Sequence, residues 1–287
     1  MPTVLEREAS RLFSTAVFRP LASGKSSERA DATAHRLRVE LSLDSDTTNH
    51  DVVAAAYNLM RRSYRSEYFY RNLIASKIFV GRHRAANSVL LNEFHVGDSV
   101  ADCVLVNGRG AVYEIKTEFD SPEKLSSQLD NYYRAFPYVN VVAHADDVEK
   151  YQRILEDTPV GLIAVGPRDR LSTMKPAEPK MDAFDIRTMF NMLRMNEVVT
   201  LLEQWFESVP DVPNGLRYEK LLSLAEQIPA TEFQWSMQQV LKARQLRNSR
   251  WMMLSSALMP LRALVVQLDP DARQQEYLVT WLKSKGG

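Results

Sequence analysis

Residues 101–120 read ADCVLVNGRGAVYEIKTEFD, and no other stretch restricts the fold of this chain as much. Two short apolar runs flank the turn signal Asn107-Gly108-Arg109-Gly110, which is the pattern of a β-hairpin. Asp102 interrupts the first run, and Glu114 and Lys116 interrupt the second. In a strand, residues two apart share a face, so Glu114 and Lys116 point with Val112 while Tyr113 and Ile115 point oppositely. The loop decides where Asp102 goes, because an even-length loop would put it on the other face. A three-residue loop, Gly108-Arg109-Gly110, pairs Asn107 with Ala111, Val104 with Glu114 and Asp102 with Lys116. Gly110 suits the left-handed residue that often ends such loops.

With that register one face carries Asp102, Glu114 and Lys116. Side-by-side carboxylates repel, and burial makes their ionisation costlier still. A divalent cation resolves the conflict. Oxygen ligands suit Mg²⁺, with Mn²⁺ as a substitute, and an adjacent lysine can act on a metal-bound water or on developing negative charge. The Glu-x-Lys spacing alone carries little, since Glu178-Pro179-Lys180 repeats it in a segment that proline keeps out of a central strand. An Asp/Glu/Lys hairpin by itself is more often a solvated outer face.

The surroundings of the hairpin add to it. Before it, residues 49–81 repeat apolar positions at helical spacing, broken near Ser63–Ser66 into two helices, the second carrying Glu67. Strands are expected at 88–94, 100–106 and 111–117. A helix capped by Ser121 with Pro122 in its first turn follows, with Gln128 and Tyr132 one turn apart. Then come a strand at 138–144, a helix near 146–156 and a strand at 160–166. The expected fold class is α/β. Residues 1–47 read as an N-terminal extension with a mobile polar segment, 48–167 as the main domain, 168–182 as a proline-bearing linker and 183–287 as an all-helical C-terminal domain.

Taken together, these features resemble the PD-(D/E)xK nuclease superfamily, and the Gln128-x-x-x-Tyr132 helix is similar to its RecB-like branch. The stretch from residue 64 to about residue 144 is similar to a family of uncharacterised bacterial and phage proteins presumed to be such nucleases. The resemblance implies a restriction-endonuclease-like αβββαβ core. It implies that Asp102 and Glu114 bind the metal with the backbone carbonyl of Ile115, and that Lys116 is the catalytic lysine. Gln128 and Tyr132 would orient phosphate, water or the lysine, and Glu67 would touch the metal or its waters. Ala101 stands where the namesake proline would be, which costs no ligand. Glu93, on the first strand, is a weaker additional candidate.

Basic residues cluster at Arg61, Arg62, Arg65, Arg71, Lys77, Arg82 and Arg84, with Tyr64, Tyr68, Phe69 and Tyr70 interleaved. Such a mixture suits phosphate neutralisation and base stacking, with a solvated helix face as the plainer alternative. A second cluster, Lys242, Arg244, Arg247 and Arg250, is read the same way with less weight. Net charge decides nothing, because 36 basic residues balance 36 acidic ones. One cysteine excludes an intramolecular disulfide, and no apolar window is long enough to cross a bilayer, so a soluble cytoplasmic protein without a membrane partner is expected. The expected function is a Mg²⁺-dependent nuclease acting on DNA, with the helical domain supplying substrate grip, dimer contacts or partner docking. The alternative is a nuclease-derived fold that binds nucleic acid or protein without catalysis.

Overall fold

The apolar alternation in residues 89–116 does form strands in the computed structural model, which describes residues 2–82, 87–246 and 250–285. The chain divides into two compact units, residues 86–245 and residues 1–85 with 246–287.

The first of these units holds a six-stranded mixed sheet. Its strands are β1 (Val89–Val96), β2 (Ser99–Val106), β3 (Gly110–Lys116), β4 (Tyr138–His144), β5 (Gly161–Gly166) and β6 (Arg170–Lys175), in sequential spatial order. Neighbours β1–β2, β2–β3 and β5–β6 are antiparallel, whereas β3–β4 and β4–β5 are parallel. Parallel neighbours need a crossover, here the helices α6 (Leu125–Tyr133) and α7 (Val148–Ile154) if the preceding helices are numbered α1 to α5. The register sets Glu114 beside Val141 and Lys116 beside Ala143. Those strand residues share one buried core with Leu125, Leu129 and Tyr132 of α6, so both charged side chains point under that helix. Four further helices complete this core: α8 (Ile186–Asn191), α9 (Met195–Leu202), α10 (Asn214–Ala225) and α11 (Ala230–Lys242).

The hairpin register differs from the expected one by two residues. Val106 pairs with Gly110, Val104 with Val112 and Cys103 with Tyr113, so the loop is Asn107-Gly108-Arg109. Gly108 takes the positive φ, +104°, in place of Gly110. A three-residue loop shifted by one position keeps its parity, and Asp102 therefore still faces the side of Glu114. Gly110 is needed for space: a Cβ there would lie 2.6 Å from a ring carbon of the buried Phe136.

The other unit is helical: α1 (Val4–Leu12), α2 (Thr15–Ala22), α3 (Glu28–Glu40), α4 (Asn49–Ser63) and α5 (Glu67–Leu73), then a π-helical turn over Ile74–Val80. Its late elements are α12 (Arg250–Leu254), α13 (Arg262–Leu268) and α14 (Ala272–Lys283). The expected mobile extension is therefore replaced by three packed helices. Thr3 caps α1 through a capping box with Glu6, and the Ser27 hydroxyl caps α3 at Ala30 N. Ala30, Ala34 and Leu37 form the buried face of α3, an apolar stripe made mostly of small residues. Trp281 of α14 ties this unit together, its ring edge-on to Phe18 at 5.7 Å and its indole N–H donating to Asp31 at 2.8 Å.

Two more expectations on domain layout differ from what is observed. Residues 168–182 contain β6, an edge strand whose Lys175 amine donates to the Leu155, Glu156 and Thr158 carbonyls. The helices after residue 183 do not form one domain, because α8–α11 pack on the sheet and α12–α14 fall in the other unit. No helix among the described residues is long and apolar enough to cross a membrane.

Gly110→Ala should lower stability by about 1–3 kcal/mol, the cost typical of overpacking a filled core. Chemical denaturation would measure it, and Phe136→Leu in the same chain should recover part of the loss. Equal midpoints for Gly110→Ala and the wild type would show that the ring can move aside.

Candidate functional site

Three charged side chains and two polar ones meet where β2 and β3 separate. The ladder between these strands stops at Cys103–Tyr113, although β3 runs on to Lys116 beside β4. Asp102 lies just past the last pair, and its Oδ2 accepts the backbone N–H of Ile115 at 2.6 Å. Its carboxylate thus bridges the separating strands.

Glu114 and Lys116 are only 2 % and 6 % exposed, a burial that each can bear only through partners. Lys116 Nζ donates to Glu114 Oε1 and to Gln128 Oε1, both at 2.9 Å. The Tyr132 hydroxyl donates to Glu114 Oε2 at 2.7 Å and lies 3.0 Å from the Val100 carbonyl. Gln128 and Tyr132 reach the same pair because they sit four residues apart on α6. Leu125, Leu129 and Tyr133 bury the apolar side of the same helix. Burial first, and then the charge of Glu114 and the hydrogen bond to it, hold the Tyr132 phenol far above its ordinary value. It therefore serves as a fixed hydrogen-bond donor rather than a base.

The oxygen donors Asp102, Glu114 and the Ile115 carbonyl fit a hard divalent cation in kind. Both Glu114 oxygens already accept a hydrogen bond, yet each retains a second lone pair. Among the described residues, no three His, Cys, Asp or Glu side chains are grouped so as to hold a metal. Glu93 illustrates this. It falls opposite Asp102 in the β1–β2 register, between the pairs Asn92–Cys103 and Phe94–Ala101. Its φ of +51° is unusual for a strand residue, and its side chain is exposed.

Glu67 and the first basic cluster belong to the helical unit. Glu67 begins α5 in the helical unit and accepts a hydrogen bond from Arg71 one turn later. Arg62, Lys77 and Arg82 are exposed and Arg61, Arg65 and Arg71 are half-buried, while Arg84 falls outside the described residues. Three of the four interleaved aromatics are not available for base stacking, and Tyr64 is half-buried. Tyr68, Phe69 and Tyr70 are core, with Tyr68 stacked on Phe13 at 4.8 Å and its hydroxyl bound to the Pro260 carbonyl at 2.7 Å. In the second basic cluster Arg247 is outside the described residues, and Arg244 is committed to Glu197 through contacts of 2.7 and 2.5 Å. Burial works against that carboxylate, but the hydrogen bonds from Arg244 and the Arg194 backbone outweigh it and hold Glu197 below its ordinary value. The Val100 carbonyl, which helps seat Tyr132, is a site contact that no side-chain pattern could reveal.

Lys116→Met leaves Glu114 buried without its cationic partner and should cost about 3–5 kcal/mol. Glu114→Gln in the Lys116→Met background should recover most of that loss, as thermal and denaturant melts would read. If the single and double variants melt alike, the two groups are not energetically coupled.

A search of curated proteins finds no match. Among solved structures, a protein of unknown function from Silicibacter pomeroyi, SPO1766, is 18 % identical. The match covers 38 % of this chain and 70 % of that one, with a TM-score of 0.28. The family model described as bacteriophage P4 protein cII matches residues 60–261, from the end of α4 to the start of α13 and across the whole sheet unit. The chain belongs to the bacteriophage P4 cII protein family.

Proposed function

We propose that this protein is a metal-dependent nuclease that hydrolyses phosphodiester bonds in DNA. The observation that carries the reading is the buried Glu114–Lys116 pair, clamped by Gln128 and Tyr132 beside Asp102. The order helix, three antiparallel strands, helix, parallel strand resembles the αβββαβ core of PD-(D/E)xK nucleases and supports the same reading. Asp102 and Glu114, with the Ile115 carbonyl, would hold Mg²⁺ or Mn²⁺. When bound, such an ion supplies an activated water and neutralises phosphate charge.

The remaining roles follow from donor counts. An ammonium has three N–H donors, and Lys116 spends two on Glu114 and Gln128. The third can meet a phosphate oxygen or the attacking water at a fixed position. Gln128 uses its carbonyl oxygen on Lys116 and one amide N–H toward the Tyr132 hydroxyl, which leaves a second amide N–H for phosphate. Tyr132 locks the Glu114 carboxylate from the other side. The exposed Arg62, with the half-buried Arg61 and Arg65, would neutralise the backbone of a bound strand.

One observation favours a second reading, a binding module without catalysis. Both Glu114 oxygens are satisfied by protein donors, so the pair is electrostatically closed without any cation. Metal binding separates the two readings.

Wild-type protein should bind Mn²⁺ in calorimetry and cut plasmid or oligonucleotide DNA with Mg²⁺ or Mn²⁺ but not with EDTA. Asp102→Asn and Glu114→Gln should lose both the binding heat and cleavage. Lys116→Met, assayed well below its melting temperature, should keep the metal and lose on the order of 10²-fold or more in rate. A wild type that takes up no metal would establish the binding module instead.

Replacing Arg61, Arg62 and Arg65 together should weaken DNA binding and flatten its log–log salt dependence by roughly one unit per lost phosphate contact. An unchanged affinity and slope would make these arginines ordinary solvated surface.

A further inference from the structure

The turn that leaves β3 carries an aromatic ring into solvent beside the site. Thr117 to Asp120 form a closed β-turn, with Asp120 N–H donating to the Thr117 carbonyl at 3.2 Å. The Asp120 carboxylate accepts from both the backbone N–H and the hydroxyl of Thr117, each at 2.7 Å. Phe119 N–H donates in turn to the Thr117 hydroxyl oxygen at 3.3 Å. These bonds hold the backbone of Phe119 in place while 52 % of the residue stays exposed. Phe119 follows Lys116 by three residues, so its Cα lies within roughly 10 Å of the lysine Cα. Lys150 donates to the Asp120 carbonyl at 3.4 Å and so places a cation on the same turn. At the other side of the site Val100 is 43 % exposed, and its carbonyl is the one that Tyr132 reaches.

An exposed phenyl on a pinned turn, three residues from the lysine of the proposed phosphate site, is what an unstacked base needs. In a duplex both faces of every base are covered by neighbours, so an aromatic side chain can stack only on a base that is single-stranded or splayed out. Of the aromatics in the basic cluster, Tyr68, Phe69 and Tyr70 are buried and cannot serve, and Tyr64 is half-buried. We propose that Phe119 is a stacking platform and that the substrate of this site is single-stranded nucleic acid, with Lys150 on an adjoining phosphate. The proposal rests on the nuclease reading only for the location of the strand.

The test is equilibrium binding in EDTA, where no cleavage occurs, using a fluorescein-labelled single-stranded oligonucleotide and the matching duplex. The wild type should prefer the single strand. Phe119→Ala and Phe119→Leu should each lose roughly tenfold or more on the single strand, with duplex binding and melting temperature unchanged. Phe119→Trp should retain the affinity and show an added indole emission that the single strand quenches. The leucine variant keeps an apolar surface without a ring, so its loss assigns the effect to stacking. Wild-type affinity in the alanine or leucine variant, equal losses on both nucleic acids, or no single-strand binding by the wild type would each overturn the proposal. Cleavage of the same oligonucleotides with Mg²⁺ is read separately. Stacking without cleavage would remove the nuclease and leave the platform, whereas cleavage by a protein indifferent to Phe119 would do the reverse.

Discussion

A carboxylate and an ammonium at alternate positions of one strand, both under a helix, set the terms for the rest of the sheet unit. Neither charge of the Glu114–Lys116 pair could be buried alone, since the desolvation of an isolated charge costs several kcal/mol even after relaxation. Each answers the other at 2.9 Å, and each needs a second partner from α6. That requirement explains the composition of the helix. It must be apolar at Leu125, Leu129 and Tyr133 to close the core, and polar at Gln128 and Tyr132 where it crosses the pair. It also explains why β3 must be flanked by a parallel strand. Only a β3–α6–β4 crossover lays the helix directly over the face that Glu114 and Lys116 share with Val141 and Ala143.

The separation of β2 from β3 is the second constraint. A continuous ladder would use the Ile115 N–H on a carbonyl of β2, but the pairs end at Cys103–Tyr113 and the Asp102 side chain takes that N–H instead. The carboxylate is thereby oriented by main chain, which is stiffer than any side-chain contact would be. The site therefore has one wall built from sheet backbone and another from a helix, with the charged pair between them.

Much of this was legible because it is local. Strand periodicity, the Ser121 cap with Pro122, and the four-residue spacing of Gln128 and Tyr132 are short-range patterns, and each leads to the element observed. The shared face of Asp102 and Glu114 survived a two-residue error in register because both loops have odd length. The error itself came from choosing between two glycines, of which Gly108 has the turn conformation and Gly110 the tight contact with Phe136. What failed was non-local. Alanine-lined α3 gave little amphipathic signal, β6 is a short edge strand between prolines, and the aromatics of α5 read equally well as stacking surface or core. Glu67 accepts a hydrogen bond from Arg71 along its own helix, a contact that its four-residue spacing allows.

The way the chain is partitioned bears on how it is made. The sheet unit is one continuous stretch, but the helical unit is assembled from two segments that flank it. During synthesis α1 to α5 emerge first, yet α13 and α14, which pack on α2, α4 and α5, emerge only after every strand of the sheet. The early helices thus wait as an incomplete body while a complete one is being produced behind them. The helical unit therefore cannot be completed until the segment after the sheet unit has been made.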